Sequence, residues 1–196
     1  MSVLFFLSTI FLILSNGYAS SYPLYARANV RLDNSASVIG TLYFIQATRT
    51  SLVIIRGTLA GLVPNQTYHG FHVHTSKVSE TRPNCTAAGA HFNPYNRTHG
   101  APISPITQRH VGDLGNIYAD QYGSAQILII DKIIKLTGAS QSIIERTIIV
   151  HRDVDDYGLG GQSDSLTTGH AGARIACGLI QSTSMTEKEA FLKFLS

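Results

Sequence analysis

Eight histidines stand in a chain of 196 residues, and most of them fall into two groups. The run "HGFHVH", residues 69–74, holds three: His69, His72 and His74. If this run is a strand, side chains alternate between faces, so His72 and His74 share one. Their β-carbons then lie about 7 Å apart, within reach of one ion. Phe71 and Val73 point the other way, toward a core. Taken alone, the pair could equally be two hydrogen-bonded surface histidines. A second group, His91, His99 and His110 with Asp113, lies in one irregular stretch. Three imidazoles and a carboxylate form a reasonable tetrahedral zinc set. A loop without a core of its own can also be ordered by a metal. The alternative is a histidine-rich solvated loop. His151, at the end of "RTIIVH", could complete the first group, and copper(II) favours such nitrogen-rich surroundings.

The elements that must position these residues read as β. "LYARANVRL", "SVIGTLYFIQ" and "SLVIIRGTL" are short, β-branched and aromatic runs separated by turn residues. After "HGFHVH" comes an irregular stretch over 75–110. Strands resume with "GNIYAD", "SAQILII", "KIIKL", "RTIIVH" and "ARIACGLI". A second long loop, "RDVDDYGLGGQSDSLTTGHAG", separates the last two. Many short strands with two long loops predict an all-β, antiparallel sandwich or barrel. Long loops in a compact domain are usually functional.

The chain start, "SVLFFLSTIFLIL" followed by "SNGYAS", reads as a signal peptide over residues 1–19 without a basic n-region. The apolar run is short for a bilayer span, and no stable membrane insertion is expected. A domain over 20–182 and a tail over 183–196 remain. In the tail, Ala190, Phe191, Phe194 and Leu195 have the spacing of a short amphipathic helix, or the segment is a frayed terminus. A net charge of +3 without basic runs gives no indication of nucleic-acid binding. In a secreted chain the only two cysteines, Cys85 and Cys177, favour one disulfide over two free thiols. Closing so long a loop would stabilise by roughly 4–5 kcal/mol in a chain-entropy account. Asn65, Asn84 and Asn96 head N-glycosylation sequons.

The motifs "GFHVH", "GAHFNP", "THG", "RHVGDLGN", "IVH", "DDYGLGG" and "GHAGARIACGLI" resemble those of copper/zinc superoxide dismutases. The likeness runs from about residue 24 to residue 181. It implies an eight-stranded Greek-key barrel with one copper and one zinc ion per subunit. His72, His74, His91 and His151 would hold copper; His91, His99, His110 and Asp113 would hold zinc, with His91 bridging the two. Asp155 would orient His72 and His99, and Cys85–Cys177 would be the disulfide. Arg174 would bind the anion, and His91 would exchange a proton during catalysis, making these two the catalytic residues. His69 matches a packing residue, and His170 has no counterpart role. The implied reaction is secreted, extracellular removal of superoxide.

The chain departs from the family pattern in places. Ser163 replaces a usual acid beside Asp164, and Thr167 a common lysine, so electrostatic steering is expected to be weaker or differently shaped. Longer links before Cys85 and before Arg109, and a polar "QSTS" end, fall near the family's dimer interface. A homodimer with a non-standard interface is the expectation. Two other functions compete: a metal-carrying protein without activity, and a zinc hydrolase. The hydrolase would need an open coordination position, which Asp113 fills in this reading.

Overall fold

The computed structural model describes residues 23–64, 68–138, 140–184 and 189. Residues 1–19, expected as a signal peptide, Asn65 and most of the tail lie outside the described residues. Among those described, no helix is long and apolar enough to cross a membrane.

Among the described residues, nine strands form one antiparallel sheet that curls almost into a closed barrel. β1 (Leu24–Leu32), β2 (Val38–Gln46) and β3 (Val53–Leu59) form a meander. β3 pairs with β6 (Ala125–Asp131). β4 (Tyr68–His74) lies between β5 (Asp113–Tyr118) and β7 (Thr147–His151). β8 (Arg174–Leu179) pairs with β7 and returns to β1. The two-residue β9 (Gln181–Ser182) continues along β1. The sheet runs β5-β4-β7-β8-β1-β2-β3-β6, and its two end strands are joined by a tight turn in which Asp120 N donates to Ser124 O at 2.8 Å. The eight strands that the family likeness implies are thus present, with the short β9 added.

Alternation explains the barrel. Leu42, Phe44, Ile55, Phe71, Val73, Ile148 and Val150 turn inward and make the main core. One expected strand is absent: "KIIKL", 132–136, turns instead. Asp131 Oδ1 accepts from the amides of Ile133 and Ile134, at 2.6 and 2.8 Å, and bends the chain away from the ladder. Both isoleucines still bury in the core. Burial here was legible in the sequence, but the turn was not.

Candidate metal centre

His72 and His74 occupy the outward face of β4, opposite Phe71 and Val73 in the core. β7 runs alongside, with His72 paired to Ile149, so His151 arrives at the same face from β7's end. The approach is close: a β-carbon on Gly70 would stand 2.7 Å from Ala171 Cβ and 3.1 Å from His72 Cε1. Residues 75–112 and 152–173 fold over this face and bury it. His91 enters from the first loop through a bridge to His74.

Two groups of metal-binding atoms result, each with its ligand atoms within 4.8 Å of one another. One is His72, His74, His91 and His151; the other is His91, His99, His110 and Asp113. All of these residues are buried. Every expected ligand is brought into its expected group, and His91 belongs to both.

Hydrogen bonds to one nitrogen of a ring decide what the other offers. His74 Nδ1 donates to Gly89 O at 2.8 Å, and His151 Nδ1 donates to Gly172 O at 3.1 Å. Burial lowers the pKa of both rings, His151 to about 4, with His91 and Arg174 adding to the effect. Neutral rings of this tautomer turn bare lone pairs at Nε2. Those two atoms face each other 3.2 Å apart. Two lone pairs repel, and a cation between them removes the conflict. His72 Nε2 donates to Asp155 Oδ2 at 2.9 Å, leaving a buried Nδ1 without a hydrogen-bond partner. The Nε2 of His91 is buried and lacks one too. Burial, followed by the neighbouring imidazoles, lowers the His72 pKa strongly.

The second group has a different character. His91 Nδ1, His99 Nδ1 and His110 Nδ1 lie 2.9, 3.1 and 3.1 Å from Asp113 Oδ1. The Nδ1 of His99 lacks hydrogen-bond alignment despite its distance. Ligands about 2.0–2.1 Å from a tetrahedral zinc stand roughly 3.3 Å from each other, close to the spacing here. The donor sets therefore fit the two metals. Burial pushes the Asp113 carboxyl up, but bonds from His110, His91 and His99 outweigh it and hold the group far below the usual carboxylate range. Burial lowers His99, while Asp113 and Asp155 raise it to about 9.

Asp155 joins the groups: Oδ1 accepts from His99 Nε2 at 2.7 Å while Oδ2 accepts from His72. A side chain at position 169 would stand 2.1 Å from Asp155 Oδ1, and the backbone there has φ +67°, so glycine is required. Asn116 holds Asp155 in turn, donating to its carbonyl at 2.9 Å and accepting from its amide at 2.8 Å. Arg109 is buried beneath the first loop, with Nη1 3.1 Å from Asp131 Oδ2 and Nε donating to His110 O at 3.1 Å. Sequence reasoning singled out neither residue. Both lie inside the quoted "RHVGDLGN", but nothing in their types marks them.

Cys85 and Cys177 form the disulfide. It fastens the 3-10 turn Cys85–Ala88 to β8. Arg174 grips the same segment, Nη1 donating to Cys85 O and Thr86 O at 3.0 Å and Nη2 to Gly89 O. It pairs with His151 across β7 and β8, beside the first group, and its charge lowers the pKa of His74 and His151. His69 joins neither group; Nδ1 donates to His151 O at 2.8 Å, bracing β4 against β7. His170 is exposed, with Nδ1 2.7 Å from Asp164 Oδ1. A cavity of about 410 Å³ lined by His91, Asn96, Arg97, His110, Leu166 and Thr167 opens on the shared histidine. A larger one, about 540 Å³, lies on the outer face of β2, β3 and β6, away from these imidazoles. Of the sequon asparagines, Asn84 and Asn96 are exposed.

A barrel carrying two histidine groups that share one ring narrows the comparison with known proteins. Residues 38–180 match the family described as copper/zinc superoxide dismutase (SODC). The chain belongs to the copper/zinc superoxide dismutase family. It is 50% identical over 143 residues to a superoxide dismutase [Cu-Zn] of Paramecium bursaria Chlorella virus 1, covering 73% of this chain and 72% of that one. It is 48% identical over 155 residues to a superoxide dismutase [Cu-Zn] of Candida albicans, covering 79% of this chain and 96% of that one. An extracellular superoxide dismutase [Cu-Zn] of Haemonchus contortus is 45% identical over 151 residues, 77% of this chain and 78% of that one. The chain is therefore an oxidoreductase acting on superoxide, with copper and zinc as its cofactors.

Proposed function

We propose that this dismutase works outside the cell, with copper held by His72, His74, His91 and His151 and zinc by His91, His99, His110 and Asp113, one ion of each per chain. The observation that carries the ligand assignment is the facing pair of bare Nε2 atoms on His74 and His151, 3.2 Å apart beside the unpartnered Nε2 of His91. When bound, copper supplies one-electron cycling between Cu(II) and Cu(I), one superoxide leaving as dioxygen and the next as hydrogen peroxide, while zinc stays redox-silent.

The chain's own residues supply the rest. Arg174 gives the anion a fixed positive partner, and its guanidinium keeps its charge. The backbone carbonyls of residues 85, 86 and 89 hold that guanidinium in place before the anion arrives. His91 offers Nε2 as a buried base that can take up a proton and give it to peroxide, which needs two. Its Nδ1, 2.9 Å from Asp113, keeps the ring in place while that happens. Asp155 orients His72 and His99 through one carboxylate, so that both groups keep their geometry together.

Secretion is supported by the leader-like residues 1–19, by the disulfide, which persists best in an oxidising compartment, and by likeness to an extracellular relative. Asn65, Asn84 and Asn96 are the proposed glycan acceptors. The homodimer is proposed with a non-standard interface, since the end of the chain's last strands, Gln181 and Ser182 in β9, is polar where the family's dimer contacts are apolar. Metal analysis of the secreted chain, paired with a superoxide-consumption assay, tests the central reading. One copper and one zinc per chain with activity is expected. Copper alone would overturn the zinc assignment, and both metals without activity would overturn the enzyme.

A further inference from the structure

The cavity that opens on the shared histidine has a glycosylation sequon built into its rim. Its volume is about 410 Å³, within the roughly 300–1,000 Å³ of clefts that enclose small molecules. Asn96 and Thr98, the two ends of the sequon Asn96-Arg97-Thr98, line one wall. Leu166 and Thr167, from the second loop, line the other. The buried His91 and His110 form its inner end. The cavity thus lies in the seam between the two loops that cover the metal centre, and His99 N crosses that seam to Leu166 O at 2.8 Å.

The sequon is held where an attached group would enter this seam. Asn93 clamps the chain at Arg97 from both sides, its Oδ1 accepting from Arg97 N at 2.9 Å and its Nδ2 donating to Arg97 O at 2.8 Å. Asn96 N donates to Asn93 O at 3.3 Å, and Tyr95 Oη lies 2.8 Å from Ser140 Oγ. The turn is therefore fixed. Asn96 and Thr98 are nevertheless exposed, and their side chains make no hydrogen bond among the described residues. Asn84 differs: its Oδ1 caps the disulfide-bonded turn by accepting from Thr86 N at 3.0 Å. Leu166, 56% exposed, offers an apolar surface across the cavity from Asn96. A sugar ring has a face of C–H groups to lay on such a surface.

We infer that an N-linked glycan on Asn96 seats its first N-acetylglucosamine in this cavity, bridging the two loops and closing the zinc side of the centre. The inference rests on the secretion and the zinc assignment proposed above. A lipid-pyrophosphate oligosaccharide is the donor. The bond forms between Asn96 Nδ2 and C1 of the first sugar, the sugar–phosphate bond breaks, and one amide proton is released alongside the departing lipid pyrophosphate. The added group is bulky and hydrophilic, so it keeps solutes from His91 and His110.

The backbone at 96 is left-handed, φ +50°, which asparagine tolerates better than most residues, so replacing Asn96 would confound a test. Thr98 carries the test instead, since Thr98→Ser keeps the sequon and Thr98→Ala removes it. The full chain, secreted by a eukaryotic host and loaded with both metals, is digested for mass spectrometry and challenged with a zinc chelator. The peptide holding Asn96 should carry a glycan in the parent and in Thr98→Ser, and none in Thr98→Ala. Thr98→Ala should release zinc severalfold faster than the other two. Trimming the glycan to its first sugar should leave the slow release intact. A bare Asn96 in the secreted, zinc-loaded chain, or equal release from all three proteins, would overturn the inference. So would fast release from the trimmed form. A chain missing from the medium, or recovered without zinc, would instead sink the secretion or the zinc reading, and the inference with it.

Discussion

The two halves of the metal centre share His91 but are built from opposite electrostatics. The group proposed for copper has four imidazoles and no carboxylate among its candidate ligand atoms, and burial keeps His72, His74 and His151 neutral with lone pairs ready. The group proposed for zinc gathers three imidazoles around the ionised Asp113, which raises His99 against the lowering by burial. One half offers neutral nitrogens, which suit an ion that changes charge. The other half has a negative centre that suits an ion of fixed charge. Their supports differ too. The copper side is fastened by a covalent bond and by Arg174 on the segment 85–89, whereas the zinc loop rests on the buried Arg109.

The hardest way to break this contrast is to remove one ligand from each half. His74→Ala should strip copper and lower superoxide consumption by about 100-fold or more, beyond the 10–100-fold typical of losing an outer partner. Zinc content should stay near one per chain. Asp113→Ala should do the reverse to the metals, losing zinc while copper remains. Metal analysis and activity on the same samples check both. Equal loss of both metals in both variants would show that the halves are one unit.

Next in size is the disulfide. Replacing Cys85 and Cys177 by serine should cost about 2–5 kcal/mol of stability in denaturant titration. The loss should reach the copper side first, because Gly89, which orients His74 and accepts from Arg174, follows the bonded turn directly. Copper affinity should therefore fall more than zinc affinity.

Asp155→Asn sharpens the comparison from the shared side. One amide cannot accept from His72 and His99 with both of its ends, so both metals should bind about 10–100-fold more weakly. Competition with a chelator measures both affinities. A loss confined to one metal would mean that Asp155 serves one half alone.

The smallest effect belongs to the rim. The Asp164 hydrogen bond and charge raise the pKa of His170 above 6.5. For a raised histidine, the pair's contribution is full below the unfolded value of about 6.5 and is lost as pH rises through the higher folded value. Nuclear magnetic resonance should find this titration above 6.5, and Asp164→Asn should bring it back toward that value. Metal content should not change in that variant.

Much of the metal centre was legible before any fold was known. His72 and His74 share a face by strand alternation alone, and Asp113 follows His110 closely enough to join one ion. The motifs of the family then ordered the rest. The roles of Asn116 and Arg109 were not legible, since an asparagine and an arginine in a loop have many uses. The turn at "KIIKL" was hidden for a related reason: its β-branched residues bury as a strand would, but the Asp131 carboxylate captures the amides that a ladder needs.

By itself, the sequence determined the alternating barrel strands, the ligand types and the pair of cysteines, because these follow from residue chemistry and short-range spacing. Only the tertiary structure decided which nitrogen each histidine turns to its neighbours. His74 and His151 stand 77 residues apart, and their tautomers are set by the carbonyls of Gly89 and Gly172. Every residue carries such a carbonyl, so no side chain announces which one will arrive. The row of Tyr25, Ile45, Ile54 and Ile130 across β1, β2, β3 and β6 has the same origin: cross-strand register, which exists only once the strands have paired, puts its members side by side.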